Sequence, residues 1–480
     1  MVHQPSRSAI SVGLALLVAG SVTSGVLQAD DSNVSEVRSD GRALGSLARL
    51  PDLERHSGNG GAEESQESVV LAGYDKKDGF YLKDRTGDNL LRLGVQLQFR
   101  YSYFAREVRG DSVDTDEAGK SDDSALEIER ARLVAEGNVF TRDLTYKFQA
   151  DGDTDGAGAW KTLDAYVEYW AGGLLAGAGN EGALGIGVGQ FKPYFMRQEA
   201  VSSGRLQMVE RNLTTEFFSI DRNLGAWIRG DLGDVKGDAP TVFYAFAITN
   251  GFDSGNVPPS AVDNIPALVG KLDFQFWGDK VEKGKYEEGN PGNKSLFVVG
   301  ASAATDQNNN SSGSGVDGPS VKIYQFGVDT QFKYEVISLQ SEYVMRWVDY
   351  KSGNAAIPLG DGSSQFAHGL YVQGGLMVSD DVELTGRAAF VWGDNMQKGN
   401  GFEAGPGINW YISGNHRIKL QTDVAWIDIS RSIPDSTEDL DGTLGTTGDG
   451  DTSSSFNSSA AGIAAGEQGL LWRTQLQLSF

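Results

Sequence analysis

The sequence predicts an all-β fold, a transmembrane antiparallel β-barrel of about 16 strands with short periplasmic turns and long acidic outer loops. Two observations lead to this prediction. Apolar and polar residues alternate with a period of two in many segments from residue 89 onward, which is typical of strands with one apolar and one polar face. Beyond the N-terminal region no apolar run is long enough for a helical membrane span.

The first barrel strand is predicted in the stretch LRLGVQLQFRYSYF. Its odd positions, from Leu91 to Tyr103, are apolar, and its even positions include Arg92 and Arg100. The pattern recurs around residues 144–149, 164–169, 271–276, 339–347 and 417–426. A soluble β-sandwich also alternates, but its inner face favours matched aliphatic side chains. Aromatic residues near strand ends and basic residues on the polar faces favour a barrel between lipid and water.

The N-terminal residues are typical of an export signal. His3 and Arg7 precede an uncharged run from Ser8 to Ala29, and acidic residues follow. We therefore predict a signal peptide at 1–29, a flexible periplasmic arm at 30–78 and the barrel at 79–480. The alternative for the first segment is an anchor helix, although its Gly, Ser and Thr make it less apolar than a membrane span.

The C-terminal stretch LLWRTQLQLSF places one set of mostly apolar side chains on a single strand face. These are Trp472, Thr474, Leu476, Leu478 and Phe480. Barrel closure would pair this strand with the first one, and lipid and lipopolysaccharide would cover its outward face. The pattern also resembles the signal that the barrel-assembly machinery recognises. We expect deletion of Phe480 to reduce insertion into the outer membrane.

The formal net charge of -24 excludes a nucleic-acid-binding role, which requires clustered Lys and Arg. The acidic residues concentrate in polar segments that we predict to be long loops, at 106–123, 192–222, 303–320, 350–366 and 431–468. The absence of cysteine excludes disulfides and thiolate sites. The stretch DGDTDG begins like a calcium loop, but Thr162 stands where its closing Glu is needed, so we predict a turn, no metal and no cofactor.

Catalytic residues are scarce in the sequence. The stretch ISGNHRI brings Ser413 and His416 close together, which is the minimum that a barrel hydrolase would need. A solvated histidine in a turn explains the same residues. We therefore predict that the protein is not an enzyme, with His416 as the residue to test.

Basic residues on the polar faces of the strands indicate a path for anions through the lumen. These residues are Arg92, Arg100, Arg130, Arg132, Lys147, Lys271, Lys322, Lys333 and Arg346. Acidic residues such as Asp164 and Asp329 lie on the same faces. Each cation could therefore pair with an acid across strands and only stiffen the wall. Cations in excess of their acids at the narrowest point would instead select anions.

Several blocks of the sequence resemble the phosphate-selective porins O and P of bacterial outer membranes. The first half of that family is matched, in order, by RARLVAEGNVF, LTYKFQADGD, LDAYVEYW, GVGQFKPYF, MVERNLTTEFF and NLGAWIRGDL. LQSEYVMRW and GINWYISGNHRIKLQ are similar to its later strands. The resemblance spans about residues 79–480 and implies a trimeric 16-stranded porin, with loops folded into the lumen and basic residues that guide anions to a constriction.

By the same resemblance, Arg130 and Arg132 of RAR and Lys192 of GQFKP would line the lumen or its constriction. The candidate constriction loop is 192–222, with Arg197, Arg205 and Arg211. The sequence departs from the family at PYFMRQE and has no run of three alternating arginines. We therefore expect passive diffusion of small hydrophilic solutes, with anions such as phosphate or polyphosphate favoured. The alternatives are a general porin without anion preference and a surface adhesin or structural barrel.

Overall fold

The computed structural model describes residues 70–75, 79–107, 122–152, 160–172, 181–233, 241–252, 265–281, 284–311, 317–350, 364–394, 400–429 and 468–480. The strands are β1 (Leu71–Asp75), β2 (Gly79–Lys83), β3 (Leu90–Glu107), β4 (Asp123–Asn138), β5 (Leu144–Gly152), β6 (Trp160–Trp170), β7 (Gly185–Phe191), β8 (Asn223–Leu232), β9 (Thr241–Thr249), β10 (Ala267–Gly278), β11 (Leu296–Ser311), β12 (Asp317–Tyr334), β13 (Ile337–Tyr350), β14 (Ser364–Met377), β15 (Val382–Asp394), β16 (Gly401–Trp410), β17 (Ile418–Ile429) and β18 (Gln468–Ser479).

Strands β3 to β18 form a closed antiparallel barrel, which confirms the predicted fold class. Each pairs with its neighbours in sequence, and β18 closes the barrel by pairing with β3 from Ser479 opposite Gln96 to Gln468 opposite Glu107. Side chains alternate as predicted: in β18 Arg473 is 2% exposed, whereas Trp472 is 43% exposed. Closure leaves neither β3 nor β18 with an open edge along their shared length.

A short hairpin precedes the barrel. β1 pairs with β2, and β2 pairs with the first residues of β3, from Lys83 opposite Leu90 to Phe80 opposite Leu93. Phe480 exchanges backbone hydrogen bonds with Val95, just beyond this pairing. Because β1 is a strand, the prediction of a flexible arm up to residue 78 is wrong for residues 71–75. The predicted signal peptide and residues 30–69 and 76–78 of the predicted arm lie outside the described residues.

The two ends of the barrel differ in their connections. Turns at 139–143, 335–336, 378–381 and 411–417 lie at the end where β18 finishes, which is the periplasmic end in barrels of this type. The connection between β10 and β11, residues 279–295, is at that end but is long. The predicted loop 303–320 is wrong, because β11 continues to Ser311 and β12 begins at Asp317. The other predicted outer loops lie largely outside the described residues, apart from 192–222.

Residues 192–222, hereafter the inner loop, connect β7 to β8 and pack inside the barrel. The loop contains two short helices, α1 (Arg197–Ala200) and α2 (Leu213–Phe218), and the Asn212 side chain caps α2 by accepting a hydrogen bond from Thr215 N. Phe195 and Phe218 lie in one apolar cluster with inward residues of the wall such as Val344. No helix in the described ranges is long and apolar enough to cross a membrane.

Candidate ion pathway

The inner loop is fixed to the wall by buried ion pairs on the side formed by β10 to β18, hereafter the sealed side. Arg197 Nε lies 2.5 Å from Asp329 Oδ1, and its Nη2 lies 3.3 Å from Asp273. Lys271 also contacts Asp329. The Arg197 guanidinium packs on the ring of Tyr286. None of the five residues is more than 4% exposed, so a passing ion does not reach their charges.

A second buried cluster joins the inner loop to β3 and β4. Glu210 Oε2 accepts hydrogen bonds from Arg100 and Arg130, each at 2.8 Å. Glu129 adds a second carboxylate, 3.0 Å from Arg100 and 3.4 Å from Arg130. Burial opposes ionisation of Glu210, but the Arg130 and Arg100 guanidinium groups hold its pKa well below its ordinary value. Arg100 and Arg130 are therefore neutralised within the wall.

Three other predicted cations face the lumen in different settings. Arg346 stacks on Phe217 and Phe218. Arg211 donates to the backbone oxygen of Val201 at 2.7 Å. Arg205 is exposed.

The remaining predicted cations of β3 and β12 differ in where they point. Arg92 is half-buried opposite Glu136, and Lys333 is buried on the inner face. Lys322 does not face the lumen, which corrects its assignment. It lies on the outward face of β12, in phase with the exposed side chains of Tyr324 and Phe326.

A row of side chains with alternating charge runs across β5, β6 and the two ends of the inner loop. Lys147 Nζ lies 2.7 Å from Asp164, which lies 2.9 Å from Arg222 Nε. Asp221 continues the chain, 3.7 Å from Arg222 and 3.4 Å from Lys192 Nζ. We call these five residues the ion ladder. Their side chains are 9–27% exposed.

Arg132 lies on the same side of the lumen and links β4 to the inner loop. It donates to Asp151 Oδ2 at 2.6 Å and to Ser203 Oγ at 2.6 Å. Its side chain is 13% exposed and that of Asp151 is 17% exposed. Arg132, Lys147 and Lys192 are therefore brought together here, as partners of carboxylates in partly open positions.

The end of the ladder holds two groups that titrate near neutral pH. Burial lowers the pKa of Lys192 to about 8, and the charge of Arg211 acts in the same direction. Burial raises the pKa of Glu199 to about 7, while Lys192 opposes the shift. Glu199 Oε1 accepts hydrogen bonds from Ser219 Oγ and Ile220 N at 3.1 and 3.2 Å. The charge at this end of the ladder is therefore sensitive to pH.

His416 is placed differently from our interpretation of it as a solvated turn residue. It is 7% exposed, and its Nε2 lies 3.0 Å from the backbone oxygen of Glu288. Its Nδ1 lies 3.3 Å from Lys419 Nζ. Ser413 Oγ donates to Asn415 at 2.9 Å. The hydrogen bonds of His416 therefore connect parts of the barrel and do not orient a serine nucleophile.

Comparisons with known proteins identify the class. An anion-selective porin from Comamonas acidovorans has a similar structure, with a TM-score of 0.53, 11% identity, and coverage of 81% of this chain and 99% of that one. The outer-membrane channel DcaP of Acinetobacter baumannii matches with a TM-score of 0.49, 14% identity, and coverage of 83% and 99%. No curated protein sequence matches. The closed barrel of sixteen strands has the fold of the porins of the bacterial outer membrane.

Within that class, residues 95–233 match the family model of the phosphate-selective porins O and P. This part of the chain contains β4 to β8 and the inner loop and is similar to that family. The resemblance found in the sequence is thereby confirmed over residues 95–233. The family and the fold are those of channels and not of enzymes.

The sequence interpretation missed three residues of this lumen. Asp221 and Arg222 complete the ion ladder, and Glu288 lies buried between the inner loop and the wall. For the first two a signal was present, because they directly precede the strand NLGAWIRGDL at the end of the predicted constriction loop. Glu288 follows no strand pattern and carried no such signal.

Proposed function

We propose that the protein conducts small hydrophilic anions by passive diffusion along the ion ladder. The observation that supports this is the difference in exposure between charged groups on the two sides of the lumen. Side chains of the ladder are 9–27% exposed. Those of the ion pairs on the sealed side, such as Arg387 with Glu403 and Arg473 with Asp423, are 1–5% exposed. We infer from this difference that water and ions reach charges on the ladder side.

The composition of the ladder favours anions. It has three cations and two carboxylates, so each carboxylate lies between two cations and the strip is net positive. An anion can replace a carboxylate partner of Arg222 or Lys192 and accept the same charged hydrogen bonds. Oxyanions such as phosphate suit the planar donors of arginine. The neighbouring carboxylates compete for these donors, which keeps binding weak enough for release.

The test is the reversal potential of the refolded protein in a planar bilayer under a potassium chloride gradient. We expect anion selectivity in the parent protein and a lower ratio of chloride to potassium permeability in Lys147→Gln and Lys192→Gln. A unit charge about 7 Å from an ion in water, screened by about 0.1 M salt, shifts the energies of an anion and a cation by about 0.3 kcal/mol in opposite directions, so each variant should lower the ratio about threefold. Phosphate added to the bath should reduce the chloride current.

Arg142→Gln is the matched control, because Arg142 is 71% exposed and lies in a periplasmic turn. It should leave the ratio unchanged. Equal ratios in the control and in both ladder variants would refute the proposed route.

A general porin without anion preference is the second candidate, because each ladder cation contacts a carboxylate. This candidate predicts a ratio of chloride to potassium permeability near one. Absence of any conductance would favour the adhesin or structural barrel.

The partners beyond ions stay predictions. A homotrimer, recognition of the Phe480 end by the assembly machinery and a preference for phosphate over other anions each follow from the resemblance. Chemical crosslinking in outer-membrane fractions tests the trimer. Insertion of a chain without Phe480 tests the assembly signal, and heat-modifiable protein in normal amounts would contradict it.

A further inference from the structure

The connection between β10 and β11 is longer than the barrel requires. Gly278 and Leu296 are direct antiparallel partners, so a turn of a few residues could join the two strands. Instead, residues 284–295, hereafter the plug segment, carry side chains that are fully buried. Tyr286, Glu288 and Asn290 are 3%, 0% and 1% exposed. A segment at the periplasmic end thus reaches the interior of the barrel.

Glu288 connects the plug segment to the inner loop and to the sealed side. Its Oε1 accepts hydrogen bonds from Gln198 Nε2 at 2.8 Å and Gln340 Nε2 at 2.6 Å. Its Oε2 accepts from Gln207 N at 2.8 Å and Gln373 Nε2 at 3.0 Å. Gln198 and Gln207 belong to the inner loop, whereas Gln340 and Gln373 belong to β13 and β14. Four donors therefore meet at one buried carboxylate.

The rest of the plug segment fits closely against the wall. Gly289 has a φ of 62°, and a Cβ added there would lie 2.7 Å from the Tyr411 hydroxyl oxygen and 2.9 Å from Glu383 Oε2. Gln331 Nε2 donates to the backbone oxygen of Glu287 at 2.9 Å. Glu288 N donates to the backbone oxygen of Arg205 at 3.2 Å. The inner loop from one end of the barrel and the plug segment from the other therefore meet inside it.

We propose that the plug segment closes the sealed side of the lumen and confines permeating ions to the ion ladder, with Glu288 as the residue that positions it. The inference rests on the proposed function only in requiring that the protein conduct. Without the plug segment, the space lined by Gln340, Gln373 and Glu383 would fill with water. The pore would be wider, and its added lining would carry amides and carboxylates, so the preference for anions would fall.

The test replaces residues 279–295 by an Asn-Gly turn and measures single-channel conductance together with the largest polyethylene glycol that enters the pore. We expect conductance to rise at least about twofold, larger polymers to enter, and the ratio of chloride to potassium permeability to move toward one. Conductance and polymer cutoff equal to those of the parent would overturn the proposal. If the parent protein shows no anion selectivity and the deletion variant has a wider pore, the proposed role of the plug segment is supported and the proposed ion path along the ladder is refuted.

A second pair of variants tests the position of the segment without deleting it. The chain has no cysteine, so Gln373→Cys introduces a unique thiol at a side chain that is 0% exposed. We expect a charged thiol reagent to label this cysteine in a Glu288→Ala background and not in the parent background. Lys294→Ala, in a residue of the same segment whose side chain is 45% exposed, is the control and should leave the cysteine protected. Equal labelling in all three backgrounds would contradict the role of Glu288.

Discussion

The sealed side of the lumen and the side that carries the ion ladder contain the same kinds of ion pair, but they differ in how far these pairs are exposed. Arg197 and Asp329 are 0% and 2% exposed at their side chains, whereas Lys192 and Asp221 are 17% and 27% exposed. Removal of one partner from a buried ion pair leaves the other charge unpaired in an environment of low dielectric constant. At a solvent-exposed pair, water replaces the missing partner. A charged residue on an inner face therefore has a structural role when it is buried, and is accessible to ions when it is partly open.

The largest difference between the sides should be in stability. On the sealed side, Asp329→Ala removes the shared partner of Arg197 and Lys271 and should lower the free energy of unfolding by about 3–5 kcal/mol. Asp221→Asn on the ladder should cost less than about 1 kcal/mol, and Asn tolerates the φ of 38° at this position. Urea unfolding in lipid vesicles, followed by tryptophan fluorescence, measures both. Similar losses in the two variants would remove the distinction between the sides.

The next effect should be in selectivity. Asp164→Asn removes the carboxylate that lies between Lys147 and Arg222, which leaves the ladder with three cations and one carboxylate. We expect the ratio of chloride to potassium permeability to rise about threefold. Asp329→Asn makes the matching change on the sealed side and should destabilise the protein without altering this ratio. A selectivity change in Asp329→Asn, with none in Asp164→Asn, would place the ion path on the sealed side and contradict the proposed route along the ladder.

The smallest effect should be a dependence on pH. Glu199 and Lys192, with pKa values of about 7 and about 8, both become less positive as pH rises. The ratio of chloride to potassium permeability should therefore fall by up to about threefold between pH 6 and pH 8. The charged neighbours of Glu199 are Lys192, Arg211 and Asp221. Glu199→Gln should remove the part of the change that is centred near pH 7, and an identical profile in this variant would exclude Glu199 as its source.

Glu199 also makes the stability of the folded protein depend on pH, and the direction of this dependence follows from its raised pKa. The pKa of Glu199 is raised from 4.5 to about 7, so the folded protein keeps a proton that the unfolded chain releases. Stability is highest where both states are protonated and falls as pH rises from about 4.5 to about 7. Unfolding midpoints of the parent should decrease across this range. Those of Glu199→Gln should decrease less.

Much of the fold was predictable because the barrel imposes a strict two-residue period. The faces of β18, its pairing with β3 and the pattern in β3 all follow from alternation and closure. The prediction for Lys322 was wrong because the rule that charged residues face inward does not hold at every position of β12. Ile323 is 2% exposed and shares the inward face with the buried Gln325, so Lys322 lies on the outward face with Tyr324.

The site was less predictable than the fold. Alternation identified Lys147 and Arg132 as inward cations, but it does not specify which acids neutralise them. The distinction between Arg197, which is sealed, and Lys192, which is partly open, depends on how the inner loop packs on distant strands. The role of Glu288 depends on donors from three elements that are far apart in the chain. Such contacts between remote segments leave no local pattern in a sequence.

The seam at β3 also has a consequence for the order of folding. Gln98 Nε2 donates to Gln477 Oε1 at 2.7 Å, across a separation of 379 residues, and β2 occupies the edge of β3 next to the point where β18 ends. Contacts of such separation carry a large loop-closure entropy and form late. One edge of β3 therefore stays incompletely paired until β18 has formed. Only then do both β2 and β18 lie along that edge. Closure of the barrel depends on bringing together two strands that lie far apart in the chain, and variants that weaken this late seam should mainly raise the rate of unfolding.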